Sequence, residues 1–283
     1  MTATDQSEQK LFFTNILSTR FGIPAEAIEV KPQTREFEGC SMVGTGNNLV
    51  FMIDLAEPVK DELQSKDDDP KPFTYAIPAG VTRLVARIPR PERGLEDSVR
   101  IRNQVASQAL ARKALADGNA LLVPRVYDWD DAAPGYMIEE FKSGEVISND
   151  EWKALKEDED AMKHVAKQVA CFTKALQAYE LPSGITGYGS ITFDDAGNIS
   201  ASKRVFQYEG PFSTYREYLK RVIEWQLAHS EHVKALKGWR GIPQAPDLRD
   251  RIDKFIANGL DDLVKKIPEH RPTLVHGDLS KSH

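Results

Sequence analysis

Leu274-Val275-His276-Gly277-Asp278-Leu279-Ser280-Lys281-Ser282-His283 is the stretch on which the reading of the fold turns. Leu274 and Val275 read as the end of a short buried strand, and Gly277 permits a turn that most residues resist. Such a turn lifts Asp278 out of the fold beside His276. A carboxylate held this way can accept a proton from an attacking hydroxyl, the task of a general base. The competing reading is a strand end followed by an ordinary turn, which three residues alone do not exclude. The position five after Asp278 is His283.

Upstream of that stretch the chain reads as helical. Pro246 to Ile267 is amphipathic, and Pro211 to Leu236 carries Tyr218, Val222, Trp225 and Leu227 as its apolar residues. His229 and His232 stand three apart on the latter, and without a third ligand nearby they read as an exposed pair. Glu151 to Tyr179 shows Trp152, Leu155, Met162, Val165, Val169, Phe172 and Leu176 at helical spacing. The charge run Lys156 to Asp160 inside it reads as a solvated face or a helix break. Between these helices, Ile185 to Ile199 reads as a small hairpin turning at Asp194 to Asn198. Its acids lack the closing glutamate that a calcium loop requires.

The N-terminal half reads differently. A helix capped by Ser7 runs to Arg20, and Ile28 to Pro32 is a short strand. Gly44, Thr45, Gly46 and Asn47 then form a turn ahead of the strand Leu49 to Leu55. Glycines let main-chain amides approach phosphates closely, although the same residues also suit a plain hairpin. The spacing is not the dinucleotide fingerprint, and the turn opens onto a strand instead of a helix. Glu57 to Gly80, rich in Pro, Lys and Asp, reads as a mobile excursion between strands. Arg83 to Arg90 is a strand with Arg87 in its middle, and Ser98 to Ala116 is a helix carrying Gln104. Val123 to Trp129 and Tyr136 to Phe141 are two more strands, the second ending in Glu139-Glu140-Phe141.

The 283 residues are enough for one two-lobed unit or two domains. With 41% hydrophobic and 28% charged residues the composition is that of a globular protein. A net charge of −6 argues against general nucleic-acid binding. No apolar run approaches the roughly 20 residues that span a bilayer, and the polar N-terminus lacks a signal-peptide core. Two cysteines, Cys40 and Cys171, make no disulfide framework, so a reducing cytoplasm is the expected compartment. Nothing in the sequence sets an oligomeric state.

Taken in order, these segments resemble a fungal-type branch of the aminoglycoside-phosphotransferase/choline-kinase-like superfamily. The resemblance rests on Asn47-Asn48-Leu49-Val50-Phe51, Leu84-Val85-Ala86-Arg87, Arg102 to Ala106, Val123 to Tyr127, Ala175 to Pro182, Gly187 to Asp194, Gly210 to Tyr215 and Leu274 to Asp278. It implies an α+β, bilobal protein-kinase-like fold: a small antiparallel-sheet lobe over residues 1–141 and a mainly helical lobe over 142–283. It also implies an ATP-binding, magnesium-dependent transferase that phosphorylates a small-molecule hydroxyl, with no nucleic-acid or membrane partner. On that pattern Asp278 is the catalytic base and His276 its loop support. Gly44, Thr45, Gly46 and Asn47 cover the phosphates, Arg87 pairs with them, and Glu140 and Phe141 form the hinge. His283 stands where relatives place a magnesium ligand, most often Asn. Gln104 stands where relatives carry a helix glutamate, so Arg87 is expected to lack an anchoring charge. The quoted chain ends before the second metal-binding Asp of the pattern, so the expectation divides between a kinase seen as a C-terminally truncated fragment and a non-catalytic kinase-like binding module.

Overall fold

The computed structural model describes residues 3–37, 40–43, 47–67, 70–90, 97–116, 122–132, 135–144, 147–204, 209–234 and 236–277. The fold is α+β. By contacts the chain forms two units: Met1–Glu180 with Thr192–Asn198 and Thr273–His283, and Leu181–Ile191 with Ile199–Pro272. Residues 142–180, read as part of a second lobe, group with the first unit.

The first unit is built on a five-stranded antiparallel sheet. Its strands are β1 (Ile28–Pro32), β4 (Asn48–Leu55), β5 (Arg83–Pro89), β6 (Val126–Asp130) and β7 (Tyr136–Glu140), in the spatial order β1-β4-β5-β7-β6. β2 (Thr34–Phe37) and β3 (Cys40–Val43) form a separate two-stranded sheet. Pro32 faces Phe51, whereas Thr34 faces Val43. β3 pairs with β2, and β4 pairs with β1 and β5; Gly44, Thr45 and Gly46 of the expected turn lie outside the described residues.

Alternation along the strands gives each face of the sheet its own partner. Leu49, Phe51, Ile53, Leu84, Ala86, Ile88, Tyr136 and Ile138 form one buried cluster with Phe13, Leu17 and Phe21 of helix α1 (Ala3–Phe21). Phe13 meets the rings of Phe51 at 5.5 Å and Tyr136 at 6.3 Å. Each such fully buried apolar side chain contributes about 1.5–3 kcal/mol. Helix α1 starts at Ala3, four residues before the expected cap at Ser7. Helix α2 (Asp97–Ala114) buries Ile101, Val105, Ala106, Ala109 and Leu110.

The segment from Glu57 to Gly80, read as an excursion, is stitched into this unit. Val59 and Ile77 are buried, Leu63 bridges to Ile77, and the Tyr75 amide donates to Val126 O at 2.9 Å. Its apolar residues, spaced among the Pro and Asp, carry it into the core. Charge fixes it as well: Lys71 Nζ donates to Asp130 at 2.9 Å, and Asp67 lies 3.4 Å from Arg20 Nη1.

Helices α3 (Asn149–Glu157) and α4 (Glu159–Ala178) fill the segment read as helical, and of the two readings of its charge run the helix break is the one observed. The break falls in the Lys156 to Asp160 charge run, where Asp158 ends α3 and accepts from the Asp160 and Ala161 amides to cap α4. Ser148 and Glu151 form a reciprocal capping box on α3. The hairpin β8 (Ser190–Phe193) and β9 (Ile199–Ser202) marks the division between units. Its tip belongs to the first: buried Phe193 packs edge-on against Phe73 and Trp129, and Arg102 holds Asp131, Asp195 and the Phe193 carbonyl. Asp194 accepts from the Asn198 amide, so the acids of this turn have structural partners.

The second unit carries α5 (Tyr215–His232), capped by Thr214, with α6 (Leu248–Asn258) and α7 (Leu260–Lys266). Gly259 separates the last two where one helix was expected. Leu260, Val264, Phe212 and Ile199 are its buried apolar residues among those described. Ion pairs supplement that small core: Glu231 binds Arg240 at 2.6 Å and also Arg249. His229 and His232 are exposed, with His229 stacked on Trp225 at 4.8 Å.

Candidate functional site

Every candidate residue that can be described lies in the first unit. Register places the strand residues first. Arg87 faces Val50 on β4 and Met137 on β7, and Val85 faces Glu139. Directly paired residues share a face, as do residues two apart on one strand. Arg87 and Glu139 therefore lie on the same face of the sheet, opposite the α1 core.

Their side chains meet. Arg87 Nε donates to Glu139 Oε1 at 2.5 Å, and Gln108 Nε2 of α2 donates to the other oxygen at 2.8 Å. Glu139 is 1% exposed, while the Arg87 side chain is 32% exposed. Among the described residues the terminal nitrogens of Arg87 make no hydrogen bond, and Gln108 Oε1 is buried without a partner. A buried carboxylate is tolerated because a cation and a neutral amide share its two oxygens.

The expectation that Arg87 lacks an anchoring charge is thus corrected. The acid comes from the adjacent strand, not from the helix. Gln104 makes none of these contacts, and the α2 residue that reaches the pair is Gln108, one turn further on. Glu139 was passed over in favour of its neighbours Glu140 and Phe141, yet a signal was present. Consecutive residues on a strand face opposite sides, so one of two adjacent glutamates must turn toward α2.

A second α2 residue holds the start of β4. Arg100, 3% exposed, donates from Nη2 to Asn47 O at 2.5 Å and to Asn48 Oδ1 at 3.0 Å. The Arg90 amide donates to the same Asn47 carbonyl at 3.0 Å. Arg100, Gln104 and Gln108 recur at helical spacing, so one stripe of α2 serves both contacts. Asn47 acts here through a main-chain acceptor. Gly44, Thr45 and Gly46 lie outside the described residues.

The hinge candidates have structural partners. The Glu140 amide donates to Arg125 O at 2.8 Å, and its carboxylate accepts from the Arg125 amide at 3.1 Å and pairs with Lys142 at 2.7 Å. The Arg83 guanidinium lies 5.2 Å from the centre of the Phe141 ring.

At the C-terminal stretch the buried-strand reading is corrected. Thr273 to Gly277 forms no strand, and Val275 is 64% exposed, because no described strand hydrogen-bonds to it. Gly277 does adopt a positive φ of 78°, the turn conformation expected of it. His276 is exposed, and its ring centre lies 6.1 Å from that of Phe172 on α4. Asp278 and His283 lie outside the described residues.

Among the described residues no three metal-ligating side chains cluster. No helix among them is long and apolar enough to cross a membrane. Compared with known proteins, the chain matches no protein-family model, no curated protein and no solved structure.

Proposed function

We propose that the chain is an ATP-dependent phosphotransferase of the aminoglycoside-phosphotransferase-like type, with a bilobal kinase-like fold, acting on a small-molecule hydroxyl. The observation that carries this reading is Arg87: a cation on the central strand of a five-stranded antiparallel sheet, anchored through Nε with its terminal nitrogens left for a ligand. The topology supports it. Taking β1, β4, β5, β6 and β7 as first to fifth, the sheet order is 1-2-3-5-4, with α2 after the third strand. A small antiparallel sheet with a helix between its third strand and its last pair is compatible with the small lobe that the resemblance implies, although a fold by itself does not establish a function.

In this proposal Arg87 meets phosphate oxygens, Arg100 steadies the start of β4 through Asn47 and Asn48, and Asp278 accepts the proton of the attacking hydroxyl. ATP supplies the transferable phosphoryl group, and magnesium, where bound, offsets its charge. The described residues fit the phosphates at Arg87. The one residue read toward magnesium, His283, lies outside the described residues, so no step is routed through the metal. The acceptor is proposed only as a hydroxyl-bearing small molecule.

The test is a thermal-shift titration of the full chain with ATP, with and without magnesium, followed by phosphoryl transfer to a panel of alcohols. A ligand that binds only the folded state stabilises it by about 2.7 kcal/mol at a hundredfold excess over its Kd. ATP-dependent stabilisation that Arg87→Ala removes, with turnover that Asp278→Ala removes, is the expected result. A cooperative melt indifferent to nucleotide would discard the proposal. The Thr273 to Gly277 segment, which forms no strand, favours a second reading, nucleotide binding without transfer. Stabilisation without turnover would select it.

A further inference from the structure

Arg87 divides one guanidinium between two tasks. We propose that Glu139 is a positioning residue for an oxyanion site formed by the terminal nitrogens of Arg87. The proposal rests on the phosphotransferase reading only in taking phosphate as the anion. Nε is held by a carboxylate that is almost wholly buried, while a third of the arginine side chain stays accessible. Fixing Nε fixes the plane of the guanidinium, and the remaining two nitrogens form the fork that matches two oxygens of a phosphate.

The acid is set by the sheet. Glu139 and Arg87 sit on hydrogen-bonded strands, with Val85 facing Glu139 and Arg87 facing Met137. Helix α2 adds only the neutral Gln108 amide to the other carboxylate oxygen. Movement of α2 would therefore cost the site a neutral hydrogen bond and leave the ion pair intact. Among the described residues Glu139 is the only carboxylate bonded to Arg87.

Lysine substitutes poorly in such a site, because a single ammonium drawn to Glu139 cannot present the planar two-nitrogen fork to a phosphate. Glutamine at 139 can replace the acid, since its amide oxygen still accepts from Nε. Its NH2 can then donate to Gln108 Oε1 once that amide turns over, using the acceptor that now lacks a partner.

The experiment is calorimetric titration of the full chain and its variants with inorganic tripolyphosphate in metal-free buffer. The wild-type chain should bind, Glu139→Gln should stay within about threefold, and Glu139→Ala and Arg87→Lys should each weaken binding by about tenfold or more. The double variant Arg87→Lys with Glu139→Gln should bind more tightly than Arg87→Lys alone, because the ammonium is released to the anion. A merely structural Glu139 would not produce that recovery. If Glu139→Ala fails to melt cooperatively, the comparison of Arg87→Lys with the double variant decides the matter. No binding by the wild-type chain, unchanged binding by a folded Glu139→Ala, or no recovery in the double variant would each overturn the proposal. ATP-dependent stabilisation of a wild-type chain that binds no tripolyphosphate would remove this site and leave the phosphotransferase reading standing. Tripolyphosphate binding through Arg87 without turnover would do the reverse.

Discussion

Asp128 and Glu139 lie on neighbouring strands and face opposite sides of the same sheet, each against an arginine. Asp128 pairs with Ile138, a member of the α1-side core, whereas the next residue, Glu139, turns toward α2. Asp128 is enclosed: Arg20 reaches both its oxygens, Tyr136 Oη donates at 2.7 Å, and Lys71 Nζ stands 3.9 Å away. Arg20 is engaged as well, with Asp67 at 3.4 Å and Asp130 at 3.9 Å. That cluster ties together α1, the 57–81 segment and β6. Glu139 has one cation and one amide, and its cation keeps two nitrogens in reserve. A charge network satisfied on every side holds the chain together, whereas one satisfied on half its sides can still take a ligand.

The largest expected effect tests the enclosed cluster. Arg20→Met strips Asp128 of its nearest cation and should lower stability by about 3 kcal/mol at neutral pH, read from urea denaturation. Burial lifts the Asp128 carboxyl above its ordinary value, although the Tyr136 hydrogen bond and the Arg20 and Lys71 charges pull it back. An acid whose folded pKa is raised stabilises the fold fully below its unfolded pKa, and that contribution is lost as pH rises through the folded value. Without Arg20 the lift grows, so the penalty should shrink as pH falls through the raised Asp128 value, where the carboxyl takes up a proton. A penalty independent of pH would mean that Asp128 is not the group left exposed to the change.

Tyr136→Phe keeps the ring in the α1 core and removes one donor to Asp128. The expected loss is about 1.5 kcal/mol by the same denaturation, with tripolyphosphate binding unaltered because the change lies on the opposite face. Altered anion binding would join two clusters that the sheet separates. The smallest effect belongs to Glu139→Gln, expected within about 1 kcal/mol of wild type because the amide can bond again to both Arg87 and Gln108. A loss as large as that of Arg20→Met would show the second cluster to be as closed as the first.

Much of the local structure was legible in the residues. The strands around Leu49 to Leu55 and Arg83 to Pro89, the helix that follows, and the turn at Gly277 appear where periodicity and glycine place them. Helix interruptions were less legible: Asp158 was a candidate break within a charge run, but Gly259 was absorbed into one long amphipathic pattern. The Glu57 to Gly80 segment misled because its composition is polar while a few residues, Val59 and Ile77 above all, are buried. Composition averages over a segment, but packing depends on individual side chains. The Leu274-Val275 strand misled in the opposite direction, since an apolar pair becomes buried strand only where another strand pairs with it.

The sequence by itself determined the α+β character, the amphipathic faces and the presence of an arginine in the middle of a strand, because these follow from spacing along the chain. Which acid meets that arginine was decided only by tertiary structure. Arg87 and Glu139 are 52 residues apart, and their contact depends on the register of β5 against β7, a relation that no local pattern encodes. The same holds for Gln108 over Gln104: one helical turn separates them in sequence, but only the seating of α2 on the sheet selects the one that reaches Glu139.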